Sequence, residues 1–203
     1  MTTGTQPYPV TLKGDLTVPP GRWQWLVKWL LIIPHMFILC FLQIAACVLM
    51  FIAFFSILFT GKYPKGMFDF VQGVMRWNWR MSFYSYSALG TDKYPPFSLD
   101  SDPDYPADLT IQYPETLNNG LVLVKWLLAF PHWVIIWLFS YIQPALILVS
   151  AIVLLFTGKY LPELFKIIMG MNRWMYRVYA YLEMTDLYPP FSFWDDLGIG
   201  LAK

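Results

Sequence analysis

A set of short motifs occurs twice in this chain, in the same order and at nearly constant spacing, and that duplication limits the possible folds more than any single segment does. Tyr8-Pro9 returns as Tyr105-Pro106, Lys28-Trp29-Leu30 as Lys125-Trp126-Leu127, and Pro34-His35 as Pro131-His132, all 97 residues apart. At the same spacing Phe59-Thr60-Gly61-Lys62-Tyr63 returns as Phe156-Thr157-Gly158-Lys159-Tyr160, Gly73 as Gly170, and Arg76-Trp77 with Arg80 as Arg173-Trp174 with Arg177. The spacing then falls to 94, where Tyr94-Pro95-Pro96-Phe97-Ser98 is answered by Tyr188-Pro189-Pro190-Phe191-Ser192, so the second copy is three residues shorter ahead of its closing motif. Two tandem units follow, residues 8–98 and 105–193, with a linker at 99–104 and a C-terminal tail at 194–203.

Each unit contains a long apolar run. Trp23 to Phe59 spans 37 residues interrupted only by Lys28, His35 and a few uncharged polar side chains, and Leu121 to Phe156 is its counterpart. The whole chain is 57% hydrophobic and 13% charged, against about 45–50% and about 25% in soluble domains. Its 10 Trp and 13 Tyr belong to the residue types that settle at headgroup depth in a bilayer. Lipid is the implied solvent, and an all-α integral membrane fold the expectation. A single crossing takes about 20 residues, so each run is too long for one crossing and fits two short ones. The sequence therefore predicts a transmembrane hairpin in each unit, turning near Gln43 in the first and near Ser140 to Pro144 in the second. Matched basic residues support an even number of crossings. Single crossings would put Lys28, Lys62, Arg76 and Arg80 on the opposite side from Lys125, Lys159, Arg173 and Arg177, against the positive-inside tendency. Hairpins would place all eight, both termini and the segment 99–119 on the cytoplasmic side. Lys28 and Lys125, close to the starts of the runs, read as anchors whose stems snorkel to the interface.

Behind each Gly-Lys-Tyr turn the pattern becomes amphipathic, over Met67 to Ala88 and Leu164 to Met184. Leu164, Ile168, Met171, Met175, Val178 and Leu182 form an apolar stripe at steps of three and four. The opposite face carries Lys166, Gly170, Arg173 and Arg177, and in the first unit Asp69, Gly73, Arg76 and Arg80, with Trp77 and Trp79 beside them. Arginines four apart present two guanidinium forks on one face. Two expectations stand side by side. In one, the helix lies in the membrane interface with Arg76, Arg80, Arg173, Arg177, Lys62, Lys159, Trp77 and Trp174 on anionic headgroups or a partner protein. In the other, the arginines satisfy acids or carbonyls of the protein itself, with Asp92 and Asp186 as candidates. Tyr8 to Val18 and Tyr105 to Tyr113 alternate enough to form short strands that pair with each other. Tyr-Pro-Pro-Phe cannot continue a helix and predicts a stiff strap closing each unit.

Several function classes are poorly supported. A net charge of +1 argues against nucleic-acid binding, which needs a concentrated basic excess. Cys40 and Cys47 lie inside the first apolar run, where they act as small hydrophobes and give neither a disulfide framework nor a Cys-based zinc site. Met1 to Pro20 lacks the basic and apolar regions of a signal peptide, so targeting falls to the apolar segments. No phosphate-cradling glycine loop or nucleophile elbow occurs, and no carboxylate interrupts the apolar runs to serve a coupled carrier. His35 and His132, at equivalent positions, are the only histidines. They suit either a shared b-type haem or quinone contact, or a neutral imidazole hydrogen-bonded to the carbonyls that the preceding proline leaves free. Gln43 and Gln143 are not repeat-equivalent and are expected to mark the hairpin tips.

The doubled pattern Tyr-Pro, Lys-Trp-Leu, Pro-His, Phe-Thr-Gly-Lys-Tyr, Arg-Trp and Tyr-Pro-Pro-Phe, running from about Tyr8 to Phe193, resembles a family of bacterial membrane proteins known only as a domain of unknown function. That resemblance implies a multi-pass protein of the bacterial cytoplasmic membrane with tandem domains, and supplies no catalytic or ligand residues. The expectation is a non-enzymatic accessory or scaffold subunit of a larger membrane complex, in contact with anionic lipids and other membrane proteins and needing no cofactor. The alternatives are a redox subunit holding haem b between His35 and His132, and a lipid-handling or membrane-shaping protein.

Overall fold

The structure is a computed structural model that describes residues 8–16 and 19–193; the tail at 194–203 lies outside the described residues. The elements in chain order are β1 (Val10–Gly14), α1 (Trp25–Leu31), α2 (Ile33–Thr60), α3 (Lys65–Tyr84), β2 (Ala107–Ile111), α4 (Leu121–Leu128), α5 (Phe130–Thr157) and α6 (Pro162–Glu183). The duplication therefore appears as two sets of short helix, long helix and amphipathic helix, each preceded by a strand.

The apolar runs do not fold as hairpins, which corrects the expectation from length. Each is interrupted once, at Ile32 and at Ala129, and then continues as one helix of 28 residues, about 42 Å long at 1.5 Å per residue. The repeated prolines explain the position of the break. Pro34 and Pro131 sit in the first turn of α2 and α5, where a missing N–H costs nothing, and their rings disturb the preceding turn. Gln43 and Ser140 leave every backbone donor in place, and Pro144 lies inside α5 without ending it.

The chain reverses instead at Phe-Thr-Gly-Lys-Tyr. Gly61 and Gly158 adopt φ of 67° and 69°, the left-handed cap that favours glycine, and their N–H groups donate to Ile57 and Leu154 at 2.8 Å. Thr60 and Thr157 reinforce the stop: each hydroxyl donates to a carbonyl four residues back at 2.7 Å and accepts from the N–H two residues on.

Beyond the turn, α3 and α6 cross back over the long helices. Asn172 meets Gln143, whereas Trp174, two positions later, reaches His132, eleven positions earlier in α5. Ile168, Met171 and Val178 of the apolar stripe are buried, as are Gly170 and Arg177 on the opposite face. The amphipathic helices are thus covered on both faces, and the expectation that they lie with an arginine face open to headgroups is corrected for Arg80 and Arg177. Two glycines allow this cover to come close. A Cβ at Gly73 would meet Leu99 at 2.8 Å and one at Gly170 would meet Phe193 at 3.1 Å, the same contact in both units.

β1 and β2 pair antiparallel, from Val10 opposite Ile111 to Gly14 opposite Ala107, as their alternation predicts. Their packing is crossed. The strand that opens the first unit packs on α6 of the second, and the strand that opens the second packs on α3 of the first. The Tyr-Pro motifs secure the crossing: the Tyr8 hydroxyl donates to Leu187 O at 3.1 Å and the Tyr105 hydroxyl to Lys93 O at 3.2 Å, so each tyrosine ties down the closing strap of the unit its strand covers.

Candidate functional site

The polar groups that the motifs bring together form two equivalent clasps, one per unit, between the start of the apolar helices and the closing strap. Lys28 on α1 is fully buried. Its ammonium pairs with Asp92 at 2.9 Å, donates to Thr91 O at 2.7 Å and lies 4.6 Å from the Tyr84 ring centroid. Lys125 on α4 repeats the arrangement with Asp186 at 2.8 Å, Thr185 O at 2.8 Å and Tyr181 at 5.5 Å. Burial lowers both lysine pKa values, and the paired aspartate opposes that shift. The lysines are therefore not snorkelling anchors. A buried ammonium is tolerated because a carboxylate, a carbonyl and a ring face replace its water. Asp92 also accepts from the Gly21 N–H, and Asp186 from that of Asn118 at 2.5 Å.

The histidines occupy the next turn of each clasp. His35 and His132 are fully buried, and Nδ1 of each accepts from the indole N–H of Trp77 or Trp174, at 2.9 and 3.0 Å. An imidazole that accepts at Nδ1 while neutral carries its proton on Nε2, and neither Nε2 has a partner among the described residues. Phe97 stacks on His35 at 3.9 Å and Phe191 on His132 at 4.3 Å. The strap tyrosines lie at 4.9 and 5.0 Å, and their hydroxyls donate to Leu31 O and Leu128 O. The expected bond from histidine to a carbonyl freed by proline is thus replaced: tyrosine caps the interrupted turn and tryptophan holds the imidazole. Trp77 and Trp174 are accordingly buried supports and not headgroup or partner contacts. These residues also do not fit a shared haem. Bis-histidine ligation requires two Nε2 atoms facing one iron, whereas each ring is fully buried against its own unit's tryptophan and phenylalanine.

The arginines satisfy the protein's own acceptors, though with different partners from those expected. Arg76 donates to Leu99 O at 2.8 Å and Leu109 O at 2.9 Å, with Asp108 at 3.1 Å. Arg80, fully buried, donates to Asp100 O at 2.6 Å and pairs with Asp108 at 3.2 Å. Asp108 lies on β2, so this pair carries the crossed strand packing. In the second unit Arg173 donates to Leu12 O on β1 and Arg177 to Ser192 O. Lys62 and Lys159 remain exposed at the reversing turns. Gln143 marks no turn: it donates to Ser87 O at 2.9 Å and to Asn172 Oδ1 at 3.3 Å. The clasp acids were legible, since Thr91-Asp92 and Thr185-Asp186 recur at the spacing of 94 directly ahead of the Tyr-Pro-Pro-Phe motifs. Asp108 gave no such signal because Thr11 stands at the equivalent position.

The fold and clasps define a tandem-repeat helical protein whose two units are built alike and interlocked through their strands. Residues 22–98 and 119–193 each match a family described as a domain of unknown function, DUF4389, and the chain belongs to that family. No curated protein and no solved structure matches it. The two matched segments coincide with α1 to the first strap and α4 to the second, and leave out β1 and β2.

Proposed function

We propose that this chain is an integral protein of the bacterial cytoplasmic membrane that serves, without catalysis of its own, as an accessory or scaffold subunit of a larger membrane assembly. The supporting observation is the exposure of its longest helices. α2 and α5 are long and apolar enough to cross a membrane, yet only 17% and 33% of their most apolar stretches are buried in the protein. A core helix of a soluble protein would be mostly covered, while large side chains such as Phe37, Phe41, Phe51, Trp137 and Tyr141 stand at least 60% exposed here. Lipid or a partner's helices would account for that surface. Pairing of β1 with β2 supports a topology in which both units begin on one side, taken as cytoplasmic, with Lys62 and Lys159 available to anionic lipid or a partner. The clasps serve rigidity, since their lysines, indole N–H groups and strap-tyrosine hydroxyls are all held by partners within the protein.

The test is fractionation of the natural source. The chain is expected in the membrane pellet after alkaline carbonate washing and, after extraction in mild detergent, in a complex heavier than its own 23.7 kDa, with constant co-purifying membrane proteins. Release by carbonate would remove the membrane assignment, and purification as a lone monomer would remove the scaffold role.

A further inference from the structure

We propose that the cleft where α2 of the first unit meets the end of α6 of the second binds the ammonium headgroup of a membrane amphiphile, with Glu183 as its counter-ion. The supply of such an amphiphile rests on the membrane reading above; the chemistry of the cleft does not. The cleft is walled by Met50, Ala53, Phe54 and Ile57 of α2, with Val122 and Leu182 opposite, and has a volume of about 140 Å³. At about 30 Å³ for a water-sized group, it takes a headgroup nitrogen and the first carbons of its stem, with the rest of the chain left in lipid.

Glu183 is the feature that calls for a ligand. It lines the cleft together with Lys125 and six apolar residues and takes part in no ion pair among the described residues. The ammonium that shares the cleft, Lys125, is already held by Asp186 and Thr185 O. Burial pushes the Glu183 carboxyl up to about 7, as expected of a largely desolvated acid that no paired cation offsets, although the residue keeps some exposed surface. Its charge acts on the phenols of Tyr63 and Tyr179, adding to the upward shift that burial gives each. Lys125, Asp186, Tyr63 and Tyr179 are thus the ionisable groups around it.

The comparison between units supplies a second observation. Tyr160 in the second unit donates its hydroxyl to Ala88 O at 2.7 Å, closing the corresponding junction. Tyr63, its equivalent in the first, is 1% exposed and its hydroxyl has no partner among the described residues. At either repeat spacing, the position answering Glu183 is Tyr86 or Leu89, so the carboxyl is particular to this junction and no part of the doubled scaffold. One junction is sealed by the protein, and the other keeps, among the described residues, an unsatisfied phenol and an acid without an ion pair beside a cleft walled mainly by apolar side chains of α2. A cation on an alkyl stem answers both properties.

The experiment is a titration of the whole chain in non-ionic maltoside micelles with dodecylammonium, read by native mass spectrometry, with 1-dodecanol and dodecyl sulfate as comparators. Wild type is expected to retain the amine in preference to the alcohol and the sulfate. Glu183→Gln should weaken retention at least tenfold, while Glu163→Gln, an exposed acid on the same helix, should leave it unchanged. Val122→Trp, which fills the cleft from its rim and keeps the carboxyl, should also abolish retention, and it decides the matter if Glu183→Gln does not fold. Equal retention of amine and alcohol by wild type, or undiminished amine binding in folded Glu183→Gln or Val122→Trp, would overturn the proposal. Because the titration is done in micelles, failure of the membrane assignment would show separately, in the carbonate wash.

Discussion

Lys28 has no exposed surface, whereas its partner Asp92 keeps about a fifth of its side chain in contact with solvent, so the two halves of one ion pair are not equally costly to orphan. Removing the acid leaves a buried ammonium with one carbonyl and a ring face; removing the lysine leaves a carboxylate that water can reach. Asp92→Ala is therefore expected to destabilise by about 3 kcal/mol, near the lower end for breaking a buried pair, and Lys28→Met by roughly half as much. Asp186→Ala and Lys125→Met should repeat the order in the second unit, with thermal or denaturant unfolding in micelles as the readout; equal losses would mean that the ammonium is rehydrated in the variant. Glu183 gives the opposite case, an acid whose folded pKa is raised. Below its ordinary value of 4.5 both states are protonated and it has no effect. Between 4.5 and about 7 the unfolded chain releases its proton first, so stability falls as pH rises, and the full penalty persists above that window. Glu183→Gln should accordingly melt at a higher temperature than wild type at pH 8 and at nearly the same temperature at pH 5. A difference that does not change with pH would place the carboxyl in contact with water.

At the scale of elements, helix stops and close approaches carry the doubled architecture, and they were unevenly legible. The reversing turn was present in the sequence as a repeated Gly-Lys-Tyr, and the amphipathic helices as a 3.6-residue stripe. The single long helix was missed because length alone suggested two crossings. The informative residue was the repeated Pro34/Pro131 at the helix start, and the one that misled was Pro144, which has no counterpart in the first unit and lies within α5. The arginine partners were missed for a different reason: the strands cross between units, so Asp108 reaches Arg76 and Arg80 from the other repeat's leading segment, and no periodicity within a unit encodes that contact. The repeated glycines give a graded prediction. At Gly73 an added Cβ would lie 2.8 Å from Leu99 Cβ, while at Gly170 its nearest neighbour is the Phe193 ring at 3.1 Å. Gly73→Ala should cost about 1–3 kcal/mol, the usual range for overpacking, and Gly170→Ala less, because a phenylalanine ring can swing where a Cβ cannot. Unfolding of the two single variants compares them directly, and a larger loss at Gly170 would contradict this packing.

For the molecule as a whole, the two cysteines report on where the apolar surface lies. Cys40 and Cys47 are both free and exposed on α2, among Phe37, Phe41, Ile44 and Val48, which are also exposed. The protein itself shields neither thiol, so whatever covers this face determines their reactivity. If α2 is immersed in hydrocarbon, a permanently charged thiol reagent cannot approach, since carrying a charge into the bilayer interior costs several kcal/mol, and any reaction that builds up charge is slowed in the same medium. A small neutral maleimide partitions into lipid and is limited only by the second effect. In vesicles, therefore, both cysteines should resist a sulfonated methanethiosulfonate, react slowly with N-ethylmaleimide, and react fully with either reagent once the chain is unfolded in dodecyl sulfate. Mass spectrometry of the peptides resolves the two sites. Modification of both by the charged reagent in vesicles would mean that α2 lies in water or lines an aqueous cavity. Protection from N-ethylmaleimide as well, lost on dilution in mild detergent, would mean that a partner protein rather than lipid seals this face and would place the partner's contact on α2.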